Sequence, residues 1–321
     1  MSIRELLLSA QKGKLLDQKD AITLLNADYQ TDDFYKLLST ANSLSRTEYD
    51  NKGLVFAQIG INAEHCSVNC KFCSMGQDHY SLPVTGRKNI DEILSELNLL
   101  IANGINDFFL MTTADYPIND FMDIARIIRK NLPDNIRFVA NIGDFDYETA
   151  KRLKEIGFTG VYHINRLREG IDTTIKPETR INTLNAVRDV GLELYYCIEP
   201  IGPEHSYDEL ATEMIRARDY DVKVMAVMRR TPVKGTPLYD KGQIPAIELT
   251  KIAAVARLVT RPLRAMNAHE VTQMTLLAGV NQLYAEYGAN PRDTESETEK
   301  NRGFSVTQAW NMLWEAGYSI T

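Results

Sequence analysis

Two hydrophobic periods alternate along most of this chain. Short apolar runs occupy residues 54–61, 107–112, 137–142, 160–163, 193–199, 222–228, 263–267 and 282–285. Between them lie stretches such as DEILSELNLLIANG, FMDIARIIRKNL, YETAKRLKEIG and AIELTKIAAVARLV, whose apolar positions recur every three or four residues. The runs read as strands and the periodic stretches as amphipathic helices. Several helical stretches end in glycine, at Gly104, Gly157 and Gly191, the residue that most easily adopts the left-handed conformation closing a helix. Strand, helix and strand at this spacing imply right-handed βαβ units and a parallel sheet. Eight such units predict an α/β fold of the closed (β/α)8 TIM type. Two helical patterns precede them, at residues 2–11 and 17–44, so residues 1–50 read as an N-terminal helical extension and 51–321 as the barrel. The last pattern, 304–318, reads as a closing helix that packs Trp310 and Trp314 on the barrel exterior. The polar, acidic stretch 290–302 reads as a loop across one end.

In a barrel of this type chemistry collects where the strands end. His65 and three cysteines follow the first strand; Thr112, Thr113 and Asp115 follow the second; Asn141 and Asp144 follow the third. His163 and Asn165 close the fourth, and Cys197, Glu199 and His205 close or follow the fifth. Arg229 and Arg230 end the sixth; Asn267, His269 and Glu270 end the seventh. Four of the five histidines fall at this face. Together these residues predict a polar cavity. Strand alternation sends one of Arg229 and Arg230 inward, where it suits a carboxylate or phosphate. With His163, Asn267 and His269 it suggests a polar, anionic small molecule.

The thiols sharpen this picture. Cys66, Cys70 and Cys73 lie inside AEHCSVNCKFCSMG, and Cys197 is the only other cysteine in 321 residues. Such clustering does not resemble a disulfide framework and fits a reducing, cytoplasmic setting. Thiolates suit zinc or iron–sulfur clusters. Zinc would need a fourth ligand such as His65 or His79. A [4Fe–4S] cube usually takes four cysteines, so three would leave one iron open to a non-protein ligand. A formal net charge of −7 without a Lys/Arg cluster argues against a nucleic-acid backbone. The apolar runs are too short to span a bilayer, and the N-terminus carries no secretory pattern.

Cys66-x3-Cys70-x2-Cys73, with Phe72 before the last cysteine and after a first barrel strand, resembles the radical S-adenosylmethionine superfamily. The likeness extends to the group containing biotin synthase, methylornithine synthase and the radical maturase of iron–iron hydrogenase. It rests on RINTLNAVRDVGLEL (180–194), VKGTPL (233–238) and AEYGAN (285–290). The resemblance implies a [4Fe–4S] cluster on Cys66, Cys70 and Cys73 whose open iron is chelated by S-adenosylmethionine. A one-electron donor of flavodoxin or ferredoxin type would supply the electron that releases a 5′-deoxyadenosyl radical. It further implies that Arg180 binds the methionyl carboxylate and that Asn165 reaches the methionyl or ribose groups. Phe72 and the segment holding Glu199 and Ile201 would line the adenine, with Thr112 and Asn141 nearby. Asp115, His163, Arg229, Arg230, Asn267 and His269 remain for the substrate.

The chain also departs from that group. Biotin synthase holds a second, sulfur-donating cluster through further cysteines, and here only Cys197 is left over. Sulfur insertion by that route is not expected. Cys197 could donate a hydrogen atom, ligate a metal fragment or contact substrate; a buried structural thiol is its bland alternative. The expected activity is radical rearrangement, fragmentation or metal-cofactor assembly on a small metabolite or cofactor precursor. The competing readings are an iron–sulfur carrier or scaffold, a sulfur-insertion enzyme and a methylation enzyme.

Overall fold

The computed structural model describes residues 1–79, 85–269, 272–285 and 304–320. Eight parallel strands close a barrel: β1 (Leu54–Gly60), β4 (Asp107–Met111), β5 (Arg137–Asn141), β6 (Gly160–Tyr162), β7 (Glu193–Ile201), β8 (Val224–Arg229), β9 (Ala265–His269) and β10 (Gln282–Ala285). Each pairs with its chain neighbours, and β1 pairs with both β4 and β10 to shut the ring. A short antiparallel pair, β2 (Asn62–Ala63) and β3 (Gly86–Arg87), flanks the segment after β1. All eight barrel strands fall on the expected runs, because strands covered by helices on one side and filled on the other read as near-continuous apolar stretches.

The helices are α1 (Ile3–Gln11), α2 (Gln18–Leu25), α3 (Asp32–Glu48), α4 (Ile90–Ala102), α5 (Ile118–Asn131), α6 (Tyr147–Ile156), α7 (Pro177–Val190), α8 (Tyr207–Asp219), α9 (Ala246–Thr260), α10 (Gln273–Leu276) and α11 (Val306–Glu315). Their starts carry the expected chemistry. Ser2, Asp17, Asn89, Ser206 and Ser305 each cap a helix, and the acid or amide three residues on answers the cap backbone. Gly157 and Gly191 close α6 and α7 at φ of 105° and 74°.

Two expectations need correction. The pattern at 17–44 is two helices rather than one. The chain turns between them because the Asp28 carboxylate accepts from Gln30 N (2.9 Å) and the Thr31 hydroxyl donates to Asp28 O (2.7 Å), local bonds that compete with a continuous helix. In α11 the buried stripe is Val306, Ala309 and Leu313. Trp310 is partly buried and donates from Nε1 to Gly104 O (3.2 Å), but Trp314 is 66% exposed. One position past Leu313, it is rotated about 100° away from the barrel.

Inside the ring the side chains form layers. The lowest is polar: Arg264 reaches Asp107 (2.6 Å), Gln282 donates to the same carboxylate (2.5 Å), and Arg137 pairs with Glu193. Above it lies an aromatic layer. Phe56 stacks on Tyr284 and on Phe109, both at 4.6 Å between ring centroids, and Tyr195 meets Phe109 edge-on at 5.3 Å. Such contacts add about 0.5–1.5 kcal/mol each beyond burial. Gln58 bridges upward, donating to the Tyr284 hydroxyl and accepting from Asn141, each at 2.9 Å. The barrel is therefore solid to the level of these rings, and free space begins above them. The seam between β1 and β10 is backed by α11, and the chain end is tied there by Gly53 N to Ser319 O (2.9 Å) and Ser319 N to Asn51 O (2.8 Å). No helix among the described residues is long and apolar enough to cross a membrane. Glu270, the 288–290 turn and the stretch 290–302 lie outside the described residues.

Candidate active site

A cavity of about 270 Å³ opens above the aromatic layer at the carboxyl ends of the strands. Cys66, Cys70, Cys73 and Phe72 form one wall. The loop that carries them is held by its own backbone: Cys66 N donates to Met75 O (2.8 Å), Cys73 N to Cys70 O (3.0 Å) and Gln77 N to Cys66 O (3.2 Å). His79 pins it from behind, with Nε2 at 3.1 Å from Cys70 O and 2.8 Å from Cys73 O. A Cβ on Gly76 would come within 2.4 Å of that ring, so the glycine gives His79 its seat. His79 therefore organises the loop through carbonyls and is occupied away from the thiols. His65 is exposed. Asp115, expected at the substrate, instead clasps Ser67 through its backbone N and its hydroxyl, both at 2.5 Å. It fastens the β4 loop to the cysteine loop from outside the cavity.

None of the four cysteines is disulfide-bonded. Burial pushes the Cys70 thiol up to about 12; neighbouring Arg166 opposes that rise, while Cys73 and Cys66 add to it. The three thiols line one wall, and Cys66, Cys70 and Cys73 feel one another electrostatically. Three soft donors beside a guanidinium suit an iron–sulfur cluster.

Arg166, which the strand pattern did not single out, lines the cavity with Nε 3.5 Å from Glu199 Oε1. Burial works against its charge, but Cys70, Glu199 and Glu169 outweigh it and raise its pKa. Arg180 lines the cavity too, yet it is 4% exposed and paired with two carboxylates: Nε donates to Glu169 (3.0 Å) and Nη1 to Asp144 (2.8 Å). His163 Nε2 stands 3.2 Å from the other Asp144 oxygen. Burial lowers the pKa of His163, keeping it neutral near pH 7. Burial works in the other direction on Asp144, but His163 and Arg180 hold its carboxyl below the usual range. Of the arginine pair, Arg230 turns inward and Arg229 does not line the cavity. Arg230 is bidentate on Glu204 and donates to Gly242 O, so its charge is already matched.

Thr112, Asn141, Glu199 and His269 line the cavity, whereas Asn165, Ile201, Cys197 and Asn267 do not. Asn165 is turned into the barrel wall, where Nδ2 donates to Glu213 (3.0 Å). Ile201 is buried, and its carbonyl accepts from Arg230 N (2.8 Å). Asn267 sits one turn of the pleat deeper, within 3.4 Å of Gln282. Cys197 is fully buried beneath the floor. Gly143 lines the opposite rim, and a Cβ there would stand 2.7 Å from Ala114 O. Gly143→Ala is expected to cost about 1–3 kcal/mol by overpacking, read as a lower midpoint in thermal or denaturant unfolding.

A closed parallel barrel with three converging thiols at its carboxyl mouth defines a class. Residues 63–229 match the Radical SAM superfamily, and the match spans more than half of the chain. The chain belongs to this superfamily of enzymes, which work with a [4Fe–4S] cluster and S-adenosylmethionine. Its relatives include the biotin synthases of Clostridioides difficile, 27% identical over 269 residues (77% of this chain and 80% of that protein), and of Pelotomaculum thermopropionicum, 26% identical over 298 residues (87% and 90%). Two solved structures share the fold. Methylornithine synthase (PylB) superposes with a TM-score of 0.84 at 18% identity, covering 98% of this chain and 97% of that one. HydG, a maturase of the [FeFe]-hydrogenase, gives 0.84 at 17% identity, covering 98% and 75%.

Proposed function

We propose that this chain cleaves S-adenosylmethionine at a cluster held by Cys66, Cys70 and Cys73 and acts on a small polar metabolite or cofactor precursor, by rearrangement, fragmentation or metal-cofactor assembly. The observation that carries this reading is one shared chamber: the three thiols, Arg166, Glu199 and His269 line the same cavity. Cys66, Cys70 and Cys73 would hold the cluster, which when bound and reduced would supply the electron for cleaving the sulfonium to methionine and a 5′-deoxyadenosyl radical.

The remaining work falls to the protein. Phe72, within the cysteine loop, and Thr112 and Asn141 line the same cavity and would contact the cofactor. Arg166 offers a guanidinium within the cavity for a carboxylate. The charge of Arg230 is matched by Glu204 and that of Arg180 by Asp144 and Glu169, which favours a substrate of low net charge over the anionic one expected from a single inward arginine. The aromatic floor keeps water from below, so that a reactive intermediate meets substrate before solvent. Anaerobic reconstitution with iron and sulfide is expected to give a brown protein that releases 5′-deoxyadenosine on addition of reductant and S-adenosylmethionine. A colourless, zinc-loaded protein inert to S-adenosylmethionine would overturn the reading.

A further inference from the structure

Beneath the cysteine loop, on the far side of the cavity, three other metal-binding side chains converge. The donor atoms of Cys197, Glu199 and His269 all lie within 4.8 Å of one another. They come from strands separated by a single neighbour: Cys197 and Glu199 share one face of β7, and His269 ends β9, with β8 between them. Register explains the convergence. Ile198 is level with Val227, and His269 with Met228, so Glu199 and His269 stand in one layer and Cys197 one layer below.

We infer that Cys197, Glu199 and His269 form a second metal site, for a single divalent ion of the zinc or iron(II) class, distinct from the cluster on Cys66, Cys70 and Cys73. The set mixes one soft, one borderline and one hard ligand, the combination that zinc and iron(II) accept. Ligand bonds of about 2.0–2.3 Å place tetrahedral donors roughly 3.3–3.8 Å apart, so the side chains need close by no more than about 1.5 Å. Binding replaces the thiol proton: Cys–SH and the ion give a metal–sulfur bond, and the proton leaves to solvent with no change of oxidation state.

The surroundings fit an ion at this point. The Tyr162 hydroxyl donates to Glu199 Oε2 at 2.9 Å, the kind of outer bond that orients a ligating carboxylate. Glu199 and His269 face the cavity while Cys197 is buried under it. Three protein ligands leave one position open, as in catalytic rather than structural sites, and that position is on the cavity side. An ion there would hold a heteroatom of the substrate, such as an amine, carboxylate or thiol, and present the adjoining carbon toward the cysteine loop.

The test uses the full chain with Cys66, Cys70 and Cys73 replaced by alanine, so that no cluster forms and Cys197 is the only thiol left among the four cysteines. Titration with Co²⁺ is expected to give one equivalent per chain, with a thiolate-to-cobalt charge-transfer band that can come only from Cys197. Adding Cys197→Ser is expected to erase the band. Glu199→Gln and His269→Ala are expected to weaken binding by at least about 10–100-fold. Circular dichroism checks the fold of each variant, and thermal unfolding reads binding separately, since a ligand of the native state raises the midpoint. No saturable band in the folded parent variant, or a band indifferent to Glu199 and His269, overturns the site. These outcomes do not depend on S-adenosylmethionine cleavage, which the unmodified protein reports independently.

Discussion

Alanine at Cys66, at Cys70 or at Cys73 is expected to abolish release of 5′-deoxyadenosine, each alone as completely as all three together. The reason is geometric. Each thiol takes a different corner of one cluster, and two protein ligands do not hold the third iron in place. The effect should therefore be non-additive, as for residues that act as one unit. Most of the loop's backbone bonds do not involve the thiols: Cys66 N donates to Met75 O, Gln77 N to Cys66 O, and His79 holds the Cys70 and Cys73 carbonyls, while Met75 N also reaches Cys73 Sγ at 3.4 Å. Each variant should thus unfold near the parent's temperature when both are compared without iron. The measurement is iron content and 5′-deoxyadenosine yield on anaerobically reconstituted protein, beside circular dichroism. Substantial cleavage by any one of the three contradicts the ligand assignment.

The largest loss of stability is expected at Arg180. Its guanidinium joins Glu169, whose side chain is 0% exposed, to Asp144, which also faces His163. Arg180→Ala would leave the buried Glu169 carboxylate with the Arg166 N–H and the Thr173 hydroxyl but without its paired guanidinium, at a cost of about 3–5 kcal/mol. Lysine cannot span two carboxylates as a planar fork does, so Arg180→Lys should recover only part of the loss. Pairing Arg180→Leu with Glu169→Gln should recover more, because the uncompensated charge is gone. Denaturant unfolding of the four proteins decides the matter. If Arg180→Ala unfolds like the parent, Arg180 is not the structural tie described here, and its guanidinium would be available for a ligand carboxylate.

The sequence was informative where local pattern and physical cause coincide. Buried strands show as apolar runs, helices as three- and four-residue periods, and Gly157 and Gly191 mark the turns they close. The cysteine loop was legible because three soft ligands in eight residues have few bland explanations. Long-range pairing was not legible. Nothing near Arg180 or Arg230 announces Glu169, Asp144 or Glu204 as partners, and so both arginines read as open anion anchors. Arg166 had no local signal either, since an arginine after a strand end is ordinary. The floor was hidden for a different reason: Phe56, Phe109, Tyr162 and Tyr284 look like core residues in sequence and are core on one side only. Cys197, Glu199 and His269 were each noticed separately, but only strand register brings residues 70 positions apart into one cluster.

The seam between β1 and β10 has a consequence for the order in which this protein can be made. The strand that begins the ring leaves the ribosome more than two hundred residues before the strand that closes it. The bonds from Asn51 and Gly53 to Ser319 come later still. Until then β1 presents one row of unpaired amides and carbonyls, the kind of edge that other chains can join. Distant contacts of this sort also form slowly. Five of the seven strands made before β10 can already pair on both sides, leaving β1 and β9 as the exposed edges of an open sheet. The final helix acts as a latch on a ring whose two ends must find each other after nearly everything else is in place.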